Sequence, residues 1–179
     1  MAEASSSERY PESYPQASIV RYDFPARGEM PAVRFSWYDG GLKPGRPAEF
    51  EGDGAFRGDG EDRDEGLLFV GDSGKILCGF NGANPKLIPA AKMGAFQSPP
   101  KTLPRSPGNE REWLDACKGG KEKPGGNFEF EGRVTETLLL GNVASRSGQK
   151  LGWDPAALTV TNADAQKFVQ PERRKGWEL

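Results

Sequence analysis

Two stretches near the start of the chain alternate between apolar and polar residues. Over 17–24, Val20, Tyr22 and Phe24 fall on one face and Ile19, Arg21 and Asp23 on the other. Over 32–38, Val33, Phe35 and Trp37 oppose Arg34, Ser36 and Tyr38. A period of two with a Pro- and Gly-containing connection predicts neighbouring strands that bury one face. A second pair follows at Leu67–Val70 and Lys75–Cys78, joined by Gly71-Asp72-Ser73-Gly74, a turn-forming run that predicts a hairpin. Lys86 to Pro89 adds a short strand, and Pro99 to Pro107 is extended connector.

The period lengthens later in the chain. Asn109 and Glu112 have the spacing of a helix N-cap and its capping-box partner, Trp113, Ala116 and Cys117 then share a face, and Gly119 supplies the stop. A second helix is predicted over 133–147, where Val134/Leu138, Leu139/Val143 and Leu140/Ala144 repeat at four residues and Gly148 follows. Lys150 to Trp153 reads as a strand. A last short helix follows Asn162, with Ala165, Phe168 and Val169 turned inward and Pro171 ending it. The order of these elements predicts an α+β domain, an open and mainly antiparallel sheet with helices packed on one face. Residues 1–16, rich in Ser and polar throughout, read as a flexible arm, and 17–179 as one domain with a long Gly-, Pro- and charge-rich surface excursion at 39–65.

Composition narrows the function classes. A formal charge of −2 with both signs interspersed gives no basic patch for nucleic acid. A mean hydropathy of −0.69 and 24 glycines point to a modest core with extensive loops, and no apolar run is long enough to span a bilayer. The first residues lack an apolar leader core. The only two cysteines, Cys78 and Cys117, have no metal-like spacing and read as buried free thiols, consistent with a reducing, cytoplasmic setting. Histidine is absent, which excludes a histidine base, a Ser-His-Asp triad and His-ligated metal within this chain.

Several ordered blocks carry a more specific signal. Ala17-Ser-Ile-Val-Arg-Tyr-Asp-Phe-Pro-Ala-Arg-Gly-Glu-Met-Pro31, Trp37-Tyr-Asp-Gly-Gly-Leu-Lys-Pro44 and Leu68-Phe-Val-Gly-Asp-Ser-Gly-Lys-Ile-Leu77 open the series. Glu112-Trp-Leu-Asp-Ala-Cys-Lys-Gly-Gly120, Leu139-Leu-Gly-Asn-Val-Ala144 and Arg174-Lys-Gly-Trp-Glu-Leu179 continue it. Together they resemble the bacterial-type C-terminal domain of the glucose-fructose oxidoreductase / inositol dehydrogenase (Gfo/Idh/MocA) family, over nearly the whole chain after the first dozen residues. The resemblance implies an open sheet whose second face makes subunit contacts, hence a homo-oligomer. It also implies a Rossmann domain, in cis or in trans, that binds NAD or NADP in the parent enzyme.

This chain departs from that parent in its chemistry. It has no G-x-G-x-x-G turn to receive a pyrophosphate, so neither NAD nor NADP is expected to bind the chain alone. Glu122-Lys123-Pro124 matches the family's catalytic tripeptide by letter, but it sits between two Gly-Gly pairs in a loop, where a lysine stays solvated. The family's catalytic histidine has no counterpart, and Asn109 and Glu110 stand where many relatives carry histidine before Glu-Trp.

No residue is assigned to catalysis, cofactor or metal. Trp37, Tyr38 and Asp39 are the candidate rim of a sugar site, an aromatic face with a hydroxyl-accepting carboxylate, against the reading of Trp37 as core and Tyr38-Asp39 as a turn. Lys43, Arg46 and Arg105 could meet an acidic substrate group or be solvated loop cations, and Trp113 fits a core position. Three functions remain: a substrate-binding and oligomerisation domain inactive alone, a separate subunit completing a site in trans, or a stand-alone sugar-binding or assembly module.

Overall fold

The early alternation becomes a three-stranded antiparallel sheet, ordered β1 (Ala2–Ser6), β2 (Ser18–Phe24) and β3 (Val33–Tyr38). A computed structural model describes residues 1–51, 65–170 and 172–177. The register sets Ala2 opposite Tyr22, Ala4 opposite Val20, Val20 opposite Trp37 and Tyr22 opposite Phe35. One face therefore carries Ala2, Ala4, Val20, Tyr22, Phe35 and Trp37. The other carries Glu3, Ile19, Arg21, Asp23, Arg34, Ser36 and Tyr38.

β1 corrects the expected arm over 1–16. Ala2 and Ala4 are small, so their alternation is faint in sequence, yet they pair with β2, and Ala2 is buried. The expected single domain is also divided. Met1–Leu42 with Pro104–Leu179 forms one compact unit, and Lys43–Leu103 forms another.

The second unit contains the predicted hairpin, β4 (Leu67–Gly71) and β5 (Gly74–Cys78), with β6 (Lys86–Ile88) added antiparallel at the other edge of β5 and a 3-10 turn at Ala90–Met93. Leu77, Cys78 and Ile88 are its buried residues. Of the expected excursion at 39–65, residues 52–64 lie outside those described. Within the remainder, Glu49 forms an ion pair with Lys75 of β5 at 2.6 Å, which holds the Glu49 carboxyl below its usual range.

The chain returns to the first unit through α1 (Asn109–Cys117), α2 (Phe128–Ser147), the two-residue strands β7 (Trp153–Asp154) and β8 (Thr159–Val160), and α3 (Ala163–Gln166). The fold is α+β, with small antiparallel sheets that do not close, and no Rossmann unit is present among the described residues. α1 begins at Asn109 itself, with Gly108 at the cap at φ 109°, so the expected capping box does not form. Glu112 reaches forward instead, its Oε2 accepting from the Gly125 amide at 2.6 Å, and hydrogen bonds from Ser106 and Gly125 lower its carboxyl pKa. α1 buries no residue. Trp113 and Cys117 are exposed, against the expected core roles.

α2 starts five residues before the predicted boundary. The Asn127 side chain caps it by accepting from the Phe130 amide at 3.2 Å, and Glu129 and Glu131 favour the positive end of the helix. Its C-terminal half covers the sheet: Leu140, Val143 and Ala144 join Ala2, Val20, Tyr22, Leu151, Val160 and Ala165 in one core. The Tyr22 hydroxyl donates to the Leu138 carbonyl at 3.0 Å, and burial pushes the Tyr22 phenol above its usual pKa.

Gly141 is what lets α2 approach so closely. A Cβ there would run into the Tyr22 hydroxyl and come within 2.9 Å of Val20 Cγ1. Gly141→Val is expected to destabilise this unit by about 1–3 kcal/mol despite the helix propensity lost by glycine, because a packed core resists added volume. Urea unfolding monitored by circular dichroism reads the change, and a neutral or stabilising result would contradict the close contact.

Candidate functional site

The proposed sugar rim lies where β3 ends. Phe35 stacks on Tyr22 with centroids 5.6 Å apart, and Trp37 meets Phe35 edge-on at 6.4 Å. This aromatic ladder crosses from β2 to β3 on the α2 side of the sheet, and Trp37 remains 40% exposed at its end. Tyr38, one residue on, points to the opposite face, as the period of a strand requires.

Asp39 is held by the fold. Its Oδ1 accepts from the Ser18 amide at 2.6 Å and its Oδ2 from the Ser18 hydroxyl at 2.9 Å, with Ser18 buried. Gly40 then turns the chain at φ 63°, where any Cβ would collide with the Gln16 carbonyl and Ala17. This corner closes the end of the sheet, and both carboxylate oxygens are engaged in doing so.

Lys43 is the first residue of the second unit, and Arg105 is exposed on the connector leading to α1. Of Trp37, Tyr38 and Asp39, Trp37 is the one that offers an open aromatic face. Arg46 lies in the second unit with its guanidinium 4.7 Å over the Phe50 ring.

A larger recess, about 540 Å³, lies at the other end of β2. Phe24 and Pro25 line it from the strand end, Trp153 and Val160 from the β7–β8 hairpin, and Asp23, Asp154 and Thr159 add polar groups. Sequence reasoning missed it because its walls come from segments more than a hundred residues apart, which the bridge between Ala2 and Leu151 joins.

Its acids already have partners. Arg34 Nε donates to Asp23 Oδ1 at 2.6 Å, and that hydrogen bond holds the Asp23 carboxyl below its usual pKa. Asp154 Oδ1 accepts from the Ala156 and Ala157 amides at 2.9 and 3.2 Å, fixing the hairpin turn. Trp153 Nε1 donates to Glu136 Oε1 at 2.5 Å, which orients the indole from α2. Such a recess can seat an apolar or ring face against Phe24 and Trp153.

The described groups with shifted pKa are Tyr22, Asp23, Arg34, Glu49 and Glu112, and in each the shift favours the form already dominant at neutral pH. A general acid or base needs the reverse. No group of three or more metal-ligating side chains occurs among the described residues, and no described helix is long and apolar enough to cross a membrane.

The tripeptide Glu122-Lys123-Pro124 lies in the loop between α1 and α2. Lys123 Nζ pairs with Glu129 Oε2 at 2.7 Å, and both side chains are largely exposed. An exposed pair contributes about 0–1 kcal/mol, so Lys123→Ala should leave the thermal midpoint nearly unchanged and any activity reconstituted with a nucleotide-binding domain intact. A thousandfold fall in that activity would restore the lysine to a catalytic role.

No known protein family matches the chain, and none of the curated proteins matches it.

Proposed function

We propose that this chain is the substrate-binding and assembly domain of an NAD(P)-dependent sugar-type oxidoreductase of the Gfo/Idh/MocA kind, inactive until a nucleotide-binding domain joins it in cis or in trans. One observation supports the reading: four of the six sequence blocks that resemble the family coincide with ordered elements of the expected kind. Ala17–Pro31 supplies β2 and the turn after it, Trp37–Pro44 closes β3, Leu68–Leu77 spans the β4–β5 hairpin, and Leu139–Ala144 is the stretch of α2 that packs on the sheet.

The chain supplies surface, and the partner supplies chemistry. Trp37 and Phe35, or Phe24 and Trp153 in the recess, present aromatic faces on which the apolar side of a sugar ring stacks. Hydride transfer and proton abstraction fall to the nucleotide-binding domain, since this chain has no histidine and no phosphate-cradling glycine turn.

Calorimetric titration of the purified chain tests the division of labour. Neither NAD nor NADP should give saturable heat, whereas myo-inositol or glucose should quench tryptophan fluorescence at millimolar concentration, a change lost in Trp37→Ala or Trp153→Ala. Saturable micromolar binding of either nucleotide overturns the proposal.

A further inference from the structure

Away from Trp37 and the larger recess, the turn after β1 folds against the C-terminal end of α2 and encloses a second recess of about 300 Å³. Arg9, Arg146 and Lys167 line it, and no carboxylate does. None of the three cations lies within ion-pair distance of an acid among the described residues. Arg9 Nε bonds only to Ser6 Oγ at 3.4 Å, and Arg146 Nη2 donates to the Pro11 carbonyl at 3.4 Å. Arg146 and Lys167 also flank the Phe168 ring at 5.3 and 5.2 Å.

The end of a helix attracts cations, and Arg9 does sit against the Gly148 cap of α2. That attraction has a limit. A helix C-terminus presents roughly half a negative charge, whereas three full positive charges meet here. About two and a half charges are left over, close to the charge of one phosphate monoester dianion. Like charges so placed repel, and a stable fold keeps them together at a cost that a bound anion would remove. The nearest acid in sequence, Glu8, accepts the Tyr10 hydroxyl at 2.9 Å and does not line the recess.

The lining also suits a ring. Tyr10 and Tyr14 present exposed aromatic surface on the wall, and Ser145, also lining it, is buried. A volume of about 300 Å³ is at the lower end for small-molecule sites, enough for one ring with a phosphate. We infer that this recess is a binding site for a small ring-bearing phosphate monoester, its phosphate among Arg9, Arg146 and Lys167 and its ring against the tyrosines. The inference rests on charge and shape at this recess alone and does not depend on the oxidoreductase reading.

Calorimetry on the full chain at low and moderate salt tests it, with phenyl phosphate, glucose 6-phosphate, glucose and inorganic phosphate as probes. At least one phosphate ester should bind with a dissociation constant of about 1 mM or tighter, weakening as salt screens the cations. Glucose should not bind at this recess, and inorganic phosphate should bind at least about tenfold more weakly than the better ester. Arg146→Gln and Lys167→Gln should each weaken the ester about tenfold or more, the effect of losing a charge-assisted hydrogen bond. Arg146→Lys should retain part of the affinity. Lys167 is exposed and outside the core, so its variant folds and keeps the test decisive even where an arginine variant does not. Absence of saturable ester binding, equal affinity for inorganic phosphate, or unchanged affinity in Lys167→Gln with Arg146→Gln overturns the site.

Discussion

Leu151→Ala should destabilise the first unit by about 2–5 kcal/mol, a loss read in urea unfolding and as a fall in the thermal midpoint of roughly 5–15 °C. Leu151 is 1% exposed, the largest side chain so completely enclosed among the described residues. Its backbone is fixed as well. The Leu151 amide donates to the Ala2 carbonyl and the Ala2 amide to the Leu151 carbonyl, each at 2.8 Å. This isolated bridge extends the sheet beyond β1 and sets the leucine among Ala2, Val143, Ala144 and Val160. Because the backbone is held by two hydrogen bonds, the surroundings can collapse little into the space left by alanine, which places the cost toward the upper part of the range. A cost below about 1 kcal/mol would mean that the bridge does not hold and that β1 is no permanent part of the sheet.

How far the fold could be read from the sequence depended on how local its causes are. β2 and β3 were legible because alternation over a few residues dictates them, and the β4–β5 hairpin because its turn residues do, although of their apolar residues only Val20, Tyr22, Leu77 and Cys78 are buried. β1 was not, since Ala2-Glu-Ala-Ser-Ser has almost no hydrophobic contrast. It is a strand because β2 offers an unpaired edge and the core has room for two small side chains. The start of α2 was hidden in a similar way. Phe128-Glu-Phe-Glu shows no helical period, and the cap at Asn127 with acids in the first turn decides the matter. The broad apolar face expected over 134–144 divides in the structure. Leu140, Val143 and Ala144 are buried, while Val134, Leu138 and Leu139 stay exposed.

The site was less legible still. Trp37, Tyr38 and Asp39 are consecutive, and consecutive strand residues cannot converge on one ligand. Asp39 carried no mark of its partner, because Ser18 is twenty-one residues away and becomes its neighbour only through β2–β3 pairing. Both recesses combine the beginning of the chain with its last third, so no local motif announces either.

Ser36→Glu is expected to turn a self-associating chain into a monomer at micromolar concentration. The face of the sheet turned away from α2 carries Glu3 and Asp23 against Arg21 and Arg34, with Ile19, Ser36 and Tyr38 among them. Two acids and two bases make this face neutral, which suits a two-fold contact in which one surface meets its own copy. Its size sets the strength. Seven residues by three strands project to roughly 24 by 14 Å, so two copies bury on the order of 700 Å² in total, below the about 1,200 Å² at which stable specific interfaces begin and in the range of weak, transient ones. A contact of that size favours micromolar over nanomolar association. Ser36 lies opposite Arg21 in the β2–β3 register. A glutamate there can pair with Arg21 within its own sheet, so the variant should fold at least as stably as the parent. At the contact, however, it fills space, withdraws Arg21 from the partner and acts twice by symmetry. A cost of about 1.5 kcal/mol at each of the two positions amounts to roughly a hundredfold in the dissociation constant. Sedimentation equilibrium of both proteins reads the outcome. A parent chain that is monomeric throughout the micromolar range would remove the assembly role, and a dimer that survives Ser36→Glu would place the contact on another surface.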